Sequence, residues 1–218
     1  MNEFKWEAFD QVPIVGIVRN LPTEHLITIG ELYARAGMTT IEITLNTPGA
    51  LDAIIDLRKH LGDKLNIGAG TVCSLADLDL AVNAGAAFIV TPVVNDAVIR
   101  KCVDNNITIF PGAYTPSEIY HAWSLGAKMI KVFPATRLGP EYIRDILAPL
   151  NAVKLLPTGG ISAENFEAFM KAGASGVGMG SNLFPAGTIQ DNDWNTLETN
   201  FRAYVSLANN SKALQNRH

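Results

Sequence analysis

Cysteine is scarce in this chain: Cys73 and Cys102 are the only two among 218 residues. The opening MNEFKWEAFD places charges inside every apolar stretch and does not read as a secretory signal. A disulfide framework is therefore not expected, and a reducing cytoplasm is the natural setting. Long hydrophobic runs are also missing. None approaches the roughly 18 residues of a spanning helix, so no membrane association is expected. Nor is there an excess of one charge sign. Seventeen Lys and Arg stand against 21 Asp and Glu, scattered, for a net charge of -4. That argues against nucleic acid held through phosphate contacts, although a small basic pocket can sit inside an acidic total. Charged residues make up only 17% and apolar ones 48%, a balance that excludes intrinsic disorder.

What is present is a repeat. A short apolar run, a turn, a helical stretch and a small residue with Gly recur along the chain. Candidate strands are 12–18, 39–45, 64–70, 87–91, 107–111, 128–133, 153–158 and 176–180, several nearly continuous in β-branched and apolar residues. Helix-start chemistry follows them. Thr47-Pro48 places Pro behind a capping Thr, Thr115-Pro-Ser-Glu118 forms a capping box, and Gly139-Pro140, Ser74-x-x-Asp77 and Asn95-Asp96 read similarly. Gly37, Gly62, Gly85, Gly126 and Gly173 suit the left-handed turn beyond a helix end.

Eight such units of about two dozen residues predict a (β/α)8 barrel, with a doubly wound open sheet as the competitor. No Gly-x-Gly-x-x-Gly run follows the first strand, which weakens the dinucleotide-binding version of that competitor. Phe4, Trp6 and Phe9 predict a short helix outside the barrel. Trp194, Leu197, Phe201 and Val205 mark the buried face of a last helix. The expected organisation is one domain: a helix over 1–11, a barrel over 12–208 and a polar, fraying tail over 209–218.

Barrel enzymes keep their chemistry at the C-terminal ends of the strands. Lys131 lies inside Met129-Ile130-Lys131-Val132-Phe133, where desolvation lowers the pKa and favours the neutral amine that attacks carbonyls. Its bland alternative is a snorkelling lysine or a buried structural ion pair. Glu42, between Ile41 and Ile43, either pairs with a cation or has a raised pKa suited to proton transfer. A Glu42–Lys131 core pair accommodates both readings. The turns PTGGIS and GMGSN, after strands 7 and 8, bring Gly159, Gly160, Gly180 and Ser181 to where barrels bind phosphate; the alternative is two tight turns without ligand. Arg19 is a carboxylate clamp or an ordinary loop arginine. Thr71 is a hydroxyl donor at the mouth or a turn residue. His25, His60, His121 and His218 fall in helices or the tail, so no metal cluster is expected. Cys73 and Cys102 are read as packing residues in helical segments.

The ordered set IEITLNTP, IGAGTV, FIVTP, PGAYTPSE, KMIKVFPA, PTGGIS and GMGSNLF, from about Val12 to Phe184, resembles the 2-keto-3-deoxy-6-phosphogluconate and 2-keto-4-hydroxyglutarate aldolases. Their sister branch cleaves 2-keto-3-deoxy-6-phosphogalactonate. The resemblance implies a class I aldolase without metal or other cofactor, commonly a homotrimer, whose partners are pyruvate and a phosphorylated 2-keto-3-deoxy sugar acid. By it, Lys131 is the Schiff-base lysine and Glu42 the acid/base. Thr71 and an arginine would hold the pyruvyl carboxylate, and Pro92 and Phe133 would line the pyruvyl pocket. Gly159, Gly160, Gly180 and Ser181 would bind phosphate.

The motifs divide between the branches. Asn46 in LNTP, VFPATRLGPEYI and Arg19 at the end of strand 1 look like the phosphogalactonate branch, whereas Thr158 in PTGG looks like the phosphogluconate one. A hydroxyl at Thr158 would lie nearest C4, the centre at which the two substrates differ. The expectation is therefore phosphogluconate cleavage to pyruvate and D-glyceraldehyde 3-phosphate, within the Entner-Doudoroff pathway. Phosphogalactonate or dual activity, including 2-keto-4-hydroxyglutarate, is the alternative. Two other classes compete: a different sugar-phosphate isomerase or lyase using the same phosphate turns, and a non-catalytic sugar-phosphate-binding barrel.

Overall fold

β-Branched and apolar runs form parallel strands covered on both faces, and the helices between them supply the outer cover. A computed structural model describes residues 3–215. Nine strands arise among the described residues: β1 (Ile14–Val18), β2 (Thr40–Thr44), β3 (Asn66–Gly70), β4 (Phe88–Val90), β5 (Thr108–Phe110), β6 (Gly112–Ala113), β7 (Ile130–Val132), β8 (Leu155–Pro157) and β9 (Val177–Met179). All paired strands are parallel. They form a curled six-stranded sheet, β5-β4-β3-β2-β1-β9, and a three-stranded one, β6-β7-β8. A single bridge, Thr158 to Gly178, joins the second sheet to β9.

The fifth predicted strand, 107–111, is shortened to β5, and a separate β6 follows beyond it. Pro111 has no N–H to donate to a ladder, and β5 and β6 stop on either side of it. Its carbonyl still accepts from Lys131 N at 2.9 Å, so chain continuity carries the curl from one sheet to the other.

Helices follow the strands: α2 (Leu26–Arg35), α3 (Ala50–Leu61), α4 (Leu75–Asn83), α5 (Asp96–Asp104), α6 (Pro116–Ser124), α7 (Gly139–Leu147) and α8 (Ala163–Lys171). The short α9 (Ala186–Gln190) and the long α10 (Trp194–Gln215) complete the series, and α1 (Trp6–Gln11) precedes it. Ser74 accepts from Asp77 N, Asn95 accepts from Ala97 N and Val98 N, and Thr115 and Glu118 close a reciprocal box. Thr47 behaves differently from its predicted role. Helix α3 starts at Ala50 behind Gly49, and the Thr47 hydroxyl instead accepts from Asn20 N at 3.0 Å. Gly62 also departs from expectation, with φ -67°, whereas Gly37, Gly85, Gly126 and Gly173 all have positive φ. A side chain at Gly62 would meet Arg58 O at 2.6 Å, so close approach rather than handedness explains the glycine.

Period-two alternation sorts the strand side chains into two cores. Ile14, Ile41, Ile43, Ile67, Ile89, Ile109, Ile130 and Val177 face the helices. Val15, Phe88, Val90, Phe110, Met129 and Leu156 face inward and form a second cluster with Phe4 and Phe9. The N-terminal segment is thus not outside the curl but plugs its lower end. Phe4 packs edge-on against Phe88 and Phe110, with ring centroids 5.2 and 5.6 Å apart. Reciprocal bonds between Lys5 and Asn66, Lys5 N to Oδ1 at 2.8 Å and Nδ2 to Lys5 O at 3.0 Å, fix the plug to β3. Turning in lets Phe4 and Phe9 complete the apolar cover of these inward side chains.

Helix α10 buries Leu197, Phe201, Tyr204 and Ala208, and it continues to Gln215 through the segment expected to fray. Ser211 is buried there, which gives the final turns a docking surface. Phe9 is completely buried within the plug. Phe9→Ala should cost about 3–5 kcal/mol of unfolding free energy, measured by urea denaturation. A loss below about 1 kcal/mol would show that the plug is dispensable.

Candidate active site

Inward positions one layer above the plug carry the charged groups. Lys131 lies in β7, paired with Gly112 of β6 and Leu156 of β8, and is 4% exposed. Glu42 lies in β2, between Ile17 of β1 and Gly68 of β3, and is 1% exposed. Both Glu42 carboxylate oxygens are buried without a hydrogen-bond partner among the described residues. A closed Glu42–Lys131 ion pair therefore does not describe the interior. Space for the carboxylate comes from Gly70: a Cβ there would sit 2.6 Å from Glu42 Oε1. The Lys131 ammonium position lies 5.1 Å from the centre of the Phe133 ring.

Burial sets the electrostatics. It pushes the Lys131 amine below the ordinary lysine range, opposed by attraction to Glu42 and reinforced by Arg19. It pushes the Glu42 carboxyl above the ordinary range, opposed by Lys131 and then Arg19. Two strands of different sheets, β7 and β2, thus carry an amine biased toward its neutral form and a carboxyl biased toward holding a proton. An amine nucleophile and a proton-transfer group require that combination.

A cavity of about 490 Å³ opens at the C-terminal ends of β1, β7, β8 and β9. Eight of the residues singled out from the sequence line it: Arg19, Lys131, Phe133, Thr158, Gly159, Gly160, Gly180 and Ser181. Glu42, Thr71 and Pro92 do not. Glu42 lies deeper and reaches the site through its field on Lys131. Thr71 follows β3 with φ 58°, a conformation costly for a β-branched residue. Pro92 follows β4 and packs against Gly112, whose Cβ would lie 2.5 Å from Pro92 O.

The glycine turns offer unused donors. Gly159 and Gly160 take φ 99° and 73°, and side chains there would crowd Thr136. Among the described residues, the backbone N–H groups of Gly159, Gly160, Ile161, Ser181 and Asn182 have no protein acceptor, and all five residues line the cavity. Such groups are suited to an anion. The Thr158 hydroxyl donates to Leu156 O at 3.2 Å.

Sequence reasoning missed Ile17, Asn20, Leu21, Ile161 and Asn182. Asn20 has φ 54° and ties the β1 loop to Thr47, which in turn meets Thr44 at 3.0 Å. The LNTP motif carries the threonine of that contact, but Thr47 followed by Pro48 has the local pattern of a helix cap. Cys73 precedes α4 in a loop rather than lying in a helix, its N–H held by Asp77 at 3.0 Å. Cys102 is buried in α5, and burial pushes its thiol up to about 12. Of the histidines, His218 lies outside the described residues; no group of three or more His, Cys, Asp or Glu among the described residues is placed to hold a metal. No helix among them is long and apolar enough to cross a membrane.

The Glu42 shift has a pH signature. Between the ordinary and raised carboxyl values, the folded chain holds a proton that the unfolded chain has released. Stability contributed below that window is lost as pH rises through it. Lys131 acts in the opposite direction at higher pH: with its folded value lowered, stability rises toward the ordinary lysine range. Glu42→Gln should therefore match the parent's Tm at acid pH and gain on it as pH rises through the carboxyl window. Parallel Tm curves across that range would refute the burial account.

The family described as KDPG and KHG aldolase matches residues 7–200. The 2-dehydro-3-deoxy-6-phosphogalactonate aldolase of Escherichia coli K12 is 36% identical over 84% of this chain and 89% of its own length. A solved native KDPGal structure superposes with a TM-score of 0.86 at 31% identity, over 92% of this chain and 96% of that one. The KDPG aldolase of Legionella pneumophila, solved with pyruvate captured at low pH as a covalent carbinolamine intermediate, gives a TM-score of 0.84 at 28% identity. That match covers 90% of this chain and 96% of the other. By the family match and by these relatives, over an α/β fold with a curled parallel sheet, the chain belongs to the KDPG and KHG aldolases, a family of carbon–carbon lyases.

Proposed function

We propose that this protein is a class I aldolase that releases pyruvate from a 2-keto-3-deoxy-6-phospho sugar acid, with Lys131 as the Schiff-base residue. The observation that carries this reading is a buried amine, held below its ordinary pKa, at the floor of a cavity rimmed by unused backbone N–H groups. The same reading takes the two sheets as arcs of one (β/α)8 barrel and a single domain, working as a cytoplasmic homotrimer without metal or cofactor.

In the mechanism, neutral Lys131 attacks the C2 ketone and loses water to give an iminium. Glu42, deeper than the cavity lining, accepts the proton of the C4 hydroxyl through a bound water as the C3–C4 bond breaks, and that electron pair moves into the iminium to form an enamine. The C4 fragment departs as D-glyceraldehyde 3-phosphate. Glu42 returns its proton to C3, and water hydrolyses the resulting iminium to pyruvate and free Lys131. Arg19 and Thr71 hold the pyruvyl carboxylate, with Pro92 and Phe133 beside it. Gly159, Gly160, Gly180 and Ser181 hold the phosphate, fixing the substrate at a point remote from the bond that breaks. The carbinolamine of the Legionella enzyme supports covalent capture of pyruvate in this family.

Between the epimers, we favour phosphogalactonate. Arg19 lines the cavity from β1, Asn46 stands in the strand-2 loop, and the Escherichia coli relative is named for that substrate. Thr158, which tipped the sequence expectation toward phosphogluconate, spends its donor on Leu156 O and is left only as an acceptor. Phosphogluconate is the second reading, since Thr158 does line the cavity and the Legionella neighbour is named for it.

Borohydride reduction with pyruvate, followed by peptide mass mapping, should place the adduct on Lys131. Lys131→Ala should abolish the adduct and lower kcat/KM by about 10⁴-fold or more. No adduct on any lysine of folded protein would refute the aldolase reading. Comparing kcat/KM for the two phosphorylated epimers decides the branch: a higher value for phosphogluconate would reverse the preference for phosphogalactonate.

A further inference from the structure

Three asparagine amides link the cavity's glycine turns to each other and to α10. Asn165, in α8, donates from Nδ2 to Gly160 O at 2.8 Å and accepts from Ser162 N at 2.9 Å. Asn182, beyond β9, donates from Nδ2 to Ile161 O at 2.7 Å, crossing from one turn to the other. Asn200, in α10, donates from Nδ2 to Asn182 O at 3.2 Å and to Leu183 O at 3.0 Å.

These bonds orient more than the carbonyls they hold. A trans peptide is planar, so fixing a carbonyl on one side directs the next N–H to the other. Holding Gly160 O therefore aims the Ile161 N–H, one of the five cavity donors without a protein acceptor. Holding Asn182 O aims the Leu183 N–H, which donates to Gly180 O at 2.9 Å and closes the second turn. Asn200 does not line the cavity. Nor is it needed to dock its helix, because Leu197 and Phe201, completely buried, flank it on the same helix. Phe201 also packs against Phe184, at 5.5 Å between ring centres, so α10 grips the end of the second turn through both an apolar and a polar contact.

We propose that Asn200, acting through Asn182, is a positioning residue that sets the separation of the two turns. The donors of Gly159, Gly160 and Ile161 then converge with those of Ser181 and Asn182 on one phosphate. This rests on the aldolase reading with its remote phosphate, and it adds an outer layer of side chains that no substrate atom touches. The amide protons are the essential feature, since both groups that Asn200 faces are carbonyls.

The test uses the full-length chain and three readouts: steady-state kinetics with the phosphorylated substrate, competitive inhibition by inorganic phosphate, and the borohydride-trapped pyruvate adduct. Asn200→Ala should raise KM and the inhibition constant of phosphate together, each about tenfold, with kcat held within about twofold. The pyruvate adduct should form undiminished, because pyruvate carries no phosphate. Asn200→Asp, the same shape without the donor, should raise KM at least as much, since it sets a carboxylate against two carbonyls. Unchanged KM and phosphate inhibition in both variants, with normal adduct, would overturn the proposal and leave the aldolase reading standing. A parallel loss of kcat and adduct would overturn it too, by showing general disruption. A parent protein that forms no pyruvate adduct would remove the reading on which it rests.

Discussion

Burying an amine and a carboxylate inside one curl of strands, without closing them into an ion pair, is the constraint around which this molecule is organised. Removing ionisable groups from water is costly unless partners or proton exchange relieve them. Here both Glu42 oxygens lack a hydrogen-bond partner among the described residues, and burial drives Glu42 and Lys131 each toward its neutral state. The cost has to be met by the surrounding structure. Beneath the two groups, the plug of Phe4, Phe9, Phe88 and Phe110 excludes water from the lower end of the curl. Beside Glu42, Gly70 leaves the room that any side chain would take.

The upper end of the curl is built on the opposite principle. Backbone donors there are left without protein acceptors, and the turns that carry them use positive φ at Gly159 and Gly160. Order is imposed from outside, by side-chain amides and by the packing of Tyr33, Phe184 and Phe201, whose ring centres lie 5.1–5.8 Å apart. A dry floor and a polar, hydrogen-bonding rim suit a ligand with a carbonyl at one end and an anion at the other. Uniting the two regions in one cavity is what favours the aldolase over a simple phosphate binder.

Much of this was legible along the chain. The strand positions follow from β-branched runs, because parallel strands covered on both faces must be apolar throughout. Lys131 and Glu42 stood out because charge inside such a run has no route to water. Local capping was readable at Ser74, Asn95 and Thr115, where donor and acceptor lie within four residues. It failed at Thr47, whose hydroxyl serves Asn20, 27 residues away. The same limit hid Asn182 and Asn200. Asparagine in a loop or on a polar helix face has no sequence signature, and its meaning lies in which carbonyls it meets.

The alternation of strands and helices, the family and the two buried charges are written along the chain, because each depends on local composition or on a short motif. Tertiary structure decided the rest. The inward turn of Phe4 and Phe9, the break at Pro111, the absence of a partner for Glu42 and the asparagine links between distant turns all depend on the curl. Curvature brings residues far apart in the chain within contact, and no local pattern of side chains records which of them will meet.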